Sequence, residues 1–250
     1  MRSARRLART VAVGVVLPVH DEELLLPSAL VSLRNAFAEL TTWDLNTHVV
    51  VVLDSCSDRS ADVLRSWTRG LRRRRSALKV TVISCDARNV GRARALGFEA
   101  LLARWSDLEL SRVWFATSDA DSQVPRDWLK VQVLQHEKGV DLWVGRVSVA
   151  DWAPYAPEVA LMWQRTYDVE SNPVHGANLG FNAQAYRSAG GFTELRSGED
   201  RALCNALVAR GIQSHYDSSI RVVTSSRRDA RAPMGFAHAL GLIEASCATI

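Results

Sequence analysis

Two aspartates separated by one residue, Asp119 and Asp121, follow directly on an apolar run at residues 113–117. Carboxylate oxygens are the ligands that hard divalent cations such as Mg²⁺ and Mn²⁺ prefer. Two short carboxylates at the end of a strand could supply one direct ligand and one indirect contact, while phosphate oxygens complete the coordination. The tripeptide alone is weak evidence, because any aspartate-rich turn contains it.

Acidic side chains also follow three other apolar runs. Asp21 and Glu22 come after the first run, Asp54 and Asp58 after the second, and Asp86 after the third. In open α/β sheets, ligands bind outside the carboxyl ends of the strands. Carboxylates gathered there are unfavourable unless a cation or a hydrogen-bonding ligand compensates them. The sequence therefore predicts a ligand site at this edge of a sheet.

The elements that would position these residues are short β-branched runs alternating with longer helical segments. This alternation predicts an α/β fold, with a mostly parallel central sheet and helices on both faces. We expect strands over residues 11–19, 48–53, 78–84, 112–118, 141–149, 177–182 and 220–224. We expect helices over residues 22–40, 58–70, 91–105 and 199–210, with another beginning at Pro125. Residues 72–75 are predicted as a solvated turn, and residues 150–173 as an irregular, aromatic-rich insert.

Length and composition narrow the class of protein. The 250 residues, 47% hydrophobic and 23% charged, are typical of one globular domain. The net charge is +4, but only three of the 31 basic residues are lysines, and we interpret the arginines as solvated charge with no nucleic-acid partner. The four cysteines form no CxxC pair, which favours a reducing, cytoplasmic location over a zinc site or a disulfide framework.

The N-terminal segment resembles a secretory signal only superficially. Arginines precede the apolar run at 11–19, but that run contains Pro18 and leads straight into acidic residues, so we interpret it as a buried strand. Nowhere does the chain offer about 20 uninterrupted apolar residues, so no transmembrane helix is predicted. The apolar C-terminal segment could cover its own chain or pair with a second copy in a homodimer.

Two common nucleotide-binding signatures are absent. The sequence contains neither GxGxxG after the first strand nor GxxxxGK[ST] anywhere, which argues against Rossmann dehydrogenases and P-loop NTPases.

A set of six motifs in order along the chain resembles the family 2 glycosyltransferases of the GT-A fold. The resemblance covers roughly residues 11 to 225. The motifs are VVLPVHDEE at 15–23, DSCSD at 54–58, NVGRAR at 89–94, DAD at 119–121, GAN at 176–178 with GGF at 190–192, and GED at 198–200. The resemblance implies a GT-A nucleotide-diphospho-sugar transferase fold in one domain, with a nucleotide-binding half (11–122), an acceptor and catalytic half (123–225) and a C-terminal loop and helix (226–250).

The first half of the motif set implies a nucleotide site. By resemblance, Pro18, Val19 and Glu22 line the nucleotide pocket. Asp54 reads the base, and an acceptor-only carboxylate suits the N–H of a uracil. Arg94 approaches the donor, where a guanidinium can bind diphosphate oxygens as a fork; as an alternative, it is a helix residue at the surface.

The resemblance also implies which residues contact the metal and the diphosphate. Asp119 would contact the ribose and the metal, and Asp121 would be the direct ligand of Mg²⁺ or Mn²⁺. Many family members add a downstream histidine to this ion, but Thr224 stands at that place here. This departure implies either a more weakly held metal or greater reliance on Arg227 and Arg228 for the leaving diphosphate.

The acidic pair Glu199 and Asp200 resembles the family's pair facing the acceptor. Asp200 is the candidate general base, because a positioned carboxylate can accept the proton of the attacking hydroxyl. As an alternative, the pair stabilises the start of a helix. By resemblance, the segment carrying His175, Gly176 and Asn178 lies beneath the donor sugar and the acceptor. Aromatic residues of the insert could stack on an acceptor or belong to the core: Trp152, Tyr155, Trp163 and Tyr167.

The implied reaction is inverting transfer of a sugar from a nucleoside diphosphate donor, a UDP-sugar by preference, to an acceptor hydroxyl. Two other hypotheses remain open. One is a catalytically silent protein that binds nucleotide-sugars, which the departure at Thr224 would fit. The other is a nucleotidyltransferase, although the glycine-rich basic loop usual after its first strand is replaced here by residues 19–22.

Overall fold

Seven strands and eight α-helices follow one another along the described part of the chain. The computed structural model describes residues 10–74, 76–149, 151–170, 172–228 and 235–247. The strands are β1 (Ala12–Val19), β2 (Asn46–Asp54), β3 (Lys79–Cys85), β4 (Val113–Thr117), β5 (Leu142–Val149), β6 (Leu179–Asn182) and β7 (Ser214–Thr224). The helices are α1 (Leu26–Ala38), α2 (Ser60–Arg73), α3 (Val90–Arg104), α4 (Trp128–Glu137), α5 (Pro157–Val169), α6 (Ala183–Ala189), α7 (Glu199–Val208) and α8 (Phe236–Cys247).

The strands form one sheet in the order β3-β2-β1-β4-β6-β5-β7. Strand β1 pairs in parallel with β2 and β4, so that Val15 lies between Val49 and Ala116. Strand β6 is antiparallel to both of its neighbours, whereas β5 and β7 are parallel. The predicted α/β fold with a mostly parallel sheet is confirmed, and the carboxyl ends of β1, β2 and β4 meet at one edge.

Hydrophobic side chains cover the sheet on both faces. All eight residues of β1 are buried, as expected for a central parallel strand. Val13 and Val15 belong to a core with α1, α4 and α5, whereas Val16 belongs to a second core with α3, α6 and α7. Helix α3 approaches β1 closely at Gly97, where a Cβ atom would lie 2.4 Å from Val16 Cγ1.

The structure corrects several predicted elements. Arg72 and Arg73 belong to α2 and not to a turn. The insert contains α5, whose buried residues Val159, Trp163 and Tyr167 recur every four positions. This periodicity is helical, but prolines and aromatic residues around it obscured the pattern. Helix α6 was not predicted, and β7 begins six residues before the predicted strand, opposite an irregularity in β5.

The predicted C-terminal loop and helix lie only partly within the described residues. Residues 229–234 and 248–250 fall outside them, as do the N-terminal residues 1–9. Helix α8 packs against α5, and its Leu240 is fully buried, so this segment covers the chain's own core. No helix in the described ranges has the length and apolar character needed to cross a membrane. All four cysteines are described, and none forms a disulfide.

Because β2 contains a buried histidine, His48, we expect the free energy of unfolding to decrease in acid. Burial, followed by the positive charges of Arg104 and Lys79, lowers the pKa of His48 to about 4. The unfolded chain, with a histidine pKa of about 6.5, therefore binds more protons between pH 4 and pH 6.5. The contribution of neutral His48 to the free energy of unfolding is fully present above pH 6.5. It is lost as the pH falls from 6.5 to 4, by up to about 3 kcal/mol.

Urea denaturation at pH 7.5 and pH 5 measures this effect. We expect His48→Gln to show a smaller loss of unfolding free energy between the two pH values, since glutamine can still hydrogen-bond to Thr81, which lies 2.8 Å from His48 Nε2. His215, whose side chain is 38% exposed, supplies the matched control His215→Gln. Equal losses in the wild type and in His48→Gln would contradict the prediction.

Candidate active site

A cleft of about 810 Å³ opens at the edge of the sheet where β1, β2 and β4 end. Residues from both predicted halves and from the segment after β7 line it together. The predicted site residues among them are Pro18, Val19, Glu22, Asp54, Arg94, Asp119, Asp121, His175, Gly176, Glu199, Asp200 and Arg227. The residues predicted at this edge of the sheet therefore line one cavity.

Two predicted site residues lie elsewhere. Asn178 was expected beside the sugar, but its side chain is fully buried beneath the sheet's end. Its Oδ1 accepts a hydrogen bond from Trp128 Nε1 (2.7 Å), and its Nδ2 donates to the carbonyl oxygens of Arg146 (2.7 Å) and Ile220 (3.1 Å). Its amide therefore fastens β5 and β7 to the segment before β6 and does not line the cleft.

Arg228 was expected at the diphosphate, but it turns away from the cleft. Its guanidinium donates to the Pro154 carbonyl and to the carboxylate of Glu244 on α8, 2.7 Å away. It also lies 4.8 Å from the centre of the Tyr155 ring, a cation–π contact. Arg228 thus anchors α8.

Asp54 organises the loop after β3. Its carboxylate accepts hydrogen bonds from the backbone N–H groups of Ala87, Arg88 and Asn89 at 2.8–2.9 Å. Burial by itself would raise the pKa of Asp54, but these donors outweigh it and lower the pKa. Ser55 Oγ adds a fourth donor at 3.0 Å. A carboxylate has about four acceptor sites, so a nucleobase that contacts Asp54 would have to share these sites with the four donors.

The loops after β1 and β2 are tied to each other by carboxylates. Asp21 accepts from the backbone N–H groups of Ser57 (2.7 Å) and Asp58 (3.1 Å). Asp58 in turn accepts from Glu23 N (2.8 Å) and from Ser60 N at the start of α2 (2.9 Å). These reciprocal bonds hold one wall of the cleft.

Arg94 is the buried cation of the site. It was predicted at the donor diphosphate, but only 2% of its side chain is exposed, and its two terminal nitrogens bind Asp119 and Glu199. Its Nε lies 3.3 Å from Thr117 Oγ1. Arg94 therefore links the carboxyl end of β4 to the start of α7.

Gly176 provides the space for this guanidinium. A Cβ atom at Gly176 would lie 2.3 Å from Arg94 Nη2, well inside the van der Waals limit. The ion pairs of Arg94 therefore require a residue without a side chain at position 176.

The Asp119 carboxylate is in a crowded acidic environment. Desolvation raises its pKa to about 6; Arg94 opposes this shift, whereas Asp121, Glu199 and Asp200 add to it. Desolvation and the neighbouring carboxylates both disfavour the ionised form of Asp119, and a bound cation would offset both.

Asp121 is held by the segment that follows β7. Its Oδ2 lies 2.9 Å from Arg227 Nη2 and 2.9 Å from Ser225 Oγ. The other terminal nitrogen of Arg227 binds Glu22, so one guanidinium bridges carboxylates from the β1 and β4 ends. Thr224, at the place of the expected histidine, is buried with its hydroxyl 3.0 Å from Ser122 Oγ.

Glu199 and Asp200 begin α7 and have different environments. Glu199 is buried against Arg94, so it positions that arginine. Asp200 lines the cleft, where its Oδ2 accepts a hydrogen bond from Gly176 N (2.8 Å). Of this pair, Asp200 is the less buried carboxylate.

His175 and Phe236 both line the cleft, with their ring centres 6.1 Å apart. Burial lowers the pKa of His175 to about 4, against the influence of Asp200, so its ring is neutral at pH 7. The predicted acceptor-stacking residues mostly belong to the core: Trp163 and Tyr167 stack on each other at 4.4 Å and are buried. Phe236, which the sequence analysis missed, is an aromatic residue that lines the cleft.

Three arginines at the cleft rim were also missed: Arg88, Arg196 and Arg201. Each stands in a loop or at a helix start, where an exposed arginine carries no periodic signal. The one available sign was the proximity of Arg88 and Arg201 to motifs at 89–94 and 198–200.

The donor set of the cleft fits a hard divalent cation. Asp119 and Asp121 present carboxylate oxygens at the end of β4, and Asp121, Glu199 and Asp200 add negative charge around Asp119. Asp119 and Asp121 would hold such an ion, with Thr224 engaged by Ser122 and supplying no imidazole.

Comparison with known families identifies the family of this chain. The family model described as glycosyl transferase family 2 matches residues 14–192, well over half of the chain. The chain belongs to this family. The predicted family and the prediction of a glycosyltransferase are thereby confirmed. No curated protein matches the sequence.

Solved structures place this family 2 chain in the GT-A fold that the sequence predicted. A mannosyltransferase from Pyrobaculum calidifontis, in complex with GDP-Man and Mn²⁺, is 16% identical with a TM-score of 0.67, covering 100% of this chain and 67% of its own. Glucosyl-3-phosphoglycerate synthase from Mycobacterium tuberculosis, in complex with Mg²⁺ and UDP, is 14% identical with a TM-score of 0.52, covering 98% and 80%.

S. aureus TarS, in a structure of residues 1–349, is 17% identical with a TM-score of 0.58. The match covers 86% of this chain and 61% of that structure, and only 37% of a longer TarS structure. This chain therefore spans less than two thirds of these TarS chains.

Proposed function

We propose that this family 2 protein transfers a sugar, with inversion, from a nucleoside diphosphate sugar to an acceptor hydroxyl. The donor is a UDP-sugar, a divalent cation assists, and Asp200 is the general base. The observation that carries the proposal is the convergence of Asp119, Asp121 and Asp200 on one cleft, over the buried cation Arg94.

The metal-binding residues in this proposal are Asp119 and Asp121. When bound, the cation would neutralise diphosphate charge and stabilise the leaving group. The fold neighbours support this choice, since the P. calidifontis and M. tuberculosis structures hold Mn²⁺ and Mg²⁺.

The chemical step assigned to Asp200 is proton acceptance. The acceptor oxygen forms a bond to the anomeric carbon while the bond from that carbon to the diphosphate oxygen breaks. The acceptor proton passes to the carboxylate of Asp200, and the nucleoside diphosphate leaves with the bonding electron pair. The hydrogen bond from Gly176 N orients Asp200 for this role. Neutral His175 can hydrogen-bond to a sugar or acceptor hydroxyl without adding charge.

The identity of the donor's nucleobase is a separate part of the proposal. The two neighbours carry GDP-Man and UDP, so the shared fold admits either nucleotide. We favour UDP because Asp54, an acceptor-only carboxylate, lines the cleft at the end of β2 and could share an acceptor site, already engaged by the loop after β3, with the N–H of uracil.

A thermal-shift screen of UDP, GDP, CDP and dTDP, each with and without Mn²⁺, tests this proposal. A ligand at about 100 times its Kd stabilises the folded state by about 2.7 kcal/mol. For a chain of this size, we expect UDP with Mn²⁺ to raise Tm by about 5–10 °C. Asp121→Ala should lose the metal-dependent part of the shift, whereas the exposed Asp62→Ala should keep it.

Activity measurements then separate the alternatives. Transfer or hydrolysis of a UDP-sugar supports the proposal. Nucleotide binding without turnover of any donor would favour a silent nucleotide-sugar-binding protein. Pyrophosphate release from a sugar phosphate and UTP would favour a nucleotidyltransferase. Stabilisation by no nucleotide would contradict the proposed site.

A further inference from the structure

The residue that bridges the two sides of the cleft, Arg227, is bound where the proposed cation would act. One of its terminal nitrogens binds Asp121 Oδ2 at 2.9 Å, and the other binds Glu22. The side chains of Asp121 and Glu22 are about nine-tenths buried, whereas Arg227 is 28% exposed on the cleft side. The guanidinium therefore serves as the counter-charge of Asp121 in this structure.

A guanidinium and a divalent cation compete for such a carboxylate. Both bind its oxygens, and two cations a few ångströms apart repel each other strongly in a partly desolvated cleft. Ser225 and Ser122 also hydrogen-bond to Asp121, but these neutral hydroxyls can remain in place beside a metal ion. Entry of the metal at Asp121 therefore requires one arm of Arg227 to leave.

The chain around Arg227 is anchored, so that this exchange needs only a side-chain movement. The neighbouring Arg228 binds Glu244 and the Pro154 carbonyl, and Tyr155 Oη donates to the Arg227 carbonyl at 3.4 Å. The bond to Glu22 keeps the guanidinium at the cleft after its other arm is released. The released N–H groups suit an anion such as a diphosphate, which a planar guanidinium binds as a fork.

We propose that Arg227 exchanges partners during donor binding: the divalent cation takes Asp121 from it, and the freed arm of Arg227 binds the donor diphosphate. Arg227 thus contacts the donor directly and sets the order of binding, in which the metal enters before or together with the nucleotide. This inference rests on the proposed function, because it requires a nucleoside diphosphate in the cleft.

Mn²⁺ titration followed by electron paramagnetic resonance, without nucleotide, tests the exchange independently of activity. Removal of the competing charge in Arg227→Gln should tighten Mn²⁺ binding about tenfold. Arg227→Lys should bind Mn²⁺ much like the wild type, because it retains the charge. Arg65→Gln, at an exposed position of α2, is the matched control that also removes one positive charge. It should leave the affinity for Mn²⁺ unchanged. Asp121→Asn should abolish the binding.

UDP titration at saturating Mn²⁺ supplies the opposite expectation. Arg227→Gln should bind UDP about tenfold more weakly, because it lacks the freed arm. Tighter Mn²⁺ with weaker UDP is the signature of exchange. Unchanged or weaker Mn²⁺ binding in Arg227→Gln would overturn the inference even if the wild type binds UDP and transfers sugar. If the wild type binds neither Mn²⁺ nor any nucleotide, the proposed function fails as well.

Discussion

Asp200→Asn is expected to reduce sugar transfer by about 10²- to 10⁴-fold, the usual contribution of a general base. The asparagine oxygen can still accept the hydrogen bond that Gly176 N gives to Asp200 at 2.8 Å, and the bond lost is the local one from Arg201 N to Asp200 Oδ1 at 2.7 Å. The amide cannot accept the proton of the acceptor hydroxyl. The loss should therefore lie in kcat, with the affinity for UDP and Mn²⁺ close to that of the wild type.

Initial rates of transfer and calorimetric titration of UDP measure these two properties. Glu199→Gln is an informative companion, because it weakens the contact with buried Arg94 and should lower stability as well as activity. Asp62→Asn, an exposed substitution on α2, controls for the change of charge. Full activity of Asp200→Asn would remove Asp200 from the mechanism and direct attention to the other carboxylates of the cleft.

Arg94→Gln is expected to lower the free energy of unfolding by about 3–5 kcal/mol, the cost of removing one partner from a buried ion pair. Arg94 neutralises both Asp119 and Glu199, so its removal leaves two carboxylates facing each other without a cation. Arg94→Lys should recover only part of this loss, because an ammonium lacks the planar fork that binds both partners.

Urea denaturation compares this variant with Arg92→Gln, two positions earlier on the same helix. Arg92 forms an exposed pair with Glu99 at 3.0 Å, so its loss should cost less than about 1 kcal/mol. Bound Mn²⁺ should restore part of the stability of Arg94→Gln, because it supplies a cation to Asp119. Similar unfolding free energies for Arg94→Gln and Arg92→Gln would show that the buried network contributes little.

Local sequence patterns were sufficient for the sheet and for the edge on which the site lies. The continuous apolar run at β1 is buried on both faces, as its composition predicted. Once the strands are parallel, their carboxyl ends meet, so Asp54, Asp119 and Asp121 had to share one edge. The start of α7 likewise brought Glu199 and Asp200 to a helix terminus. These outcomes depend on neighbours close in sequence and on a periodicity of two or 3.6 residues.

Only the tertiary structure decided which charged groups contact each other. Arg94 meets Glu199 across 105 sequence positions, and Arg227 meets Glu22 across 205. Adjacent Arg227 and Arg228 were equivalent in the sequence, yet one enters the cleft and the other binds α8. Ion pairs form between side chains that distant segments bring together, and the burial that determines their strength is a property of the whole fold. For that reason the sequence by itself determined the fold and the acidic edge, whereas the pairing within the site was decided by tertiary packing.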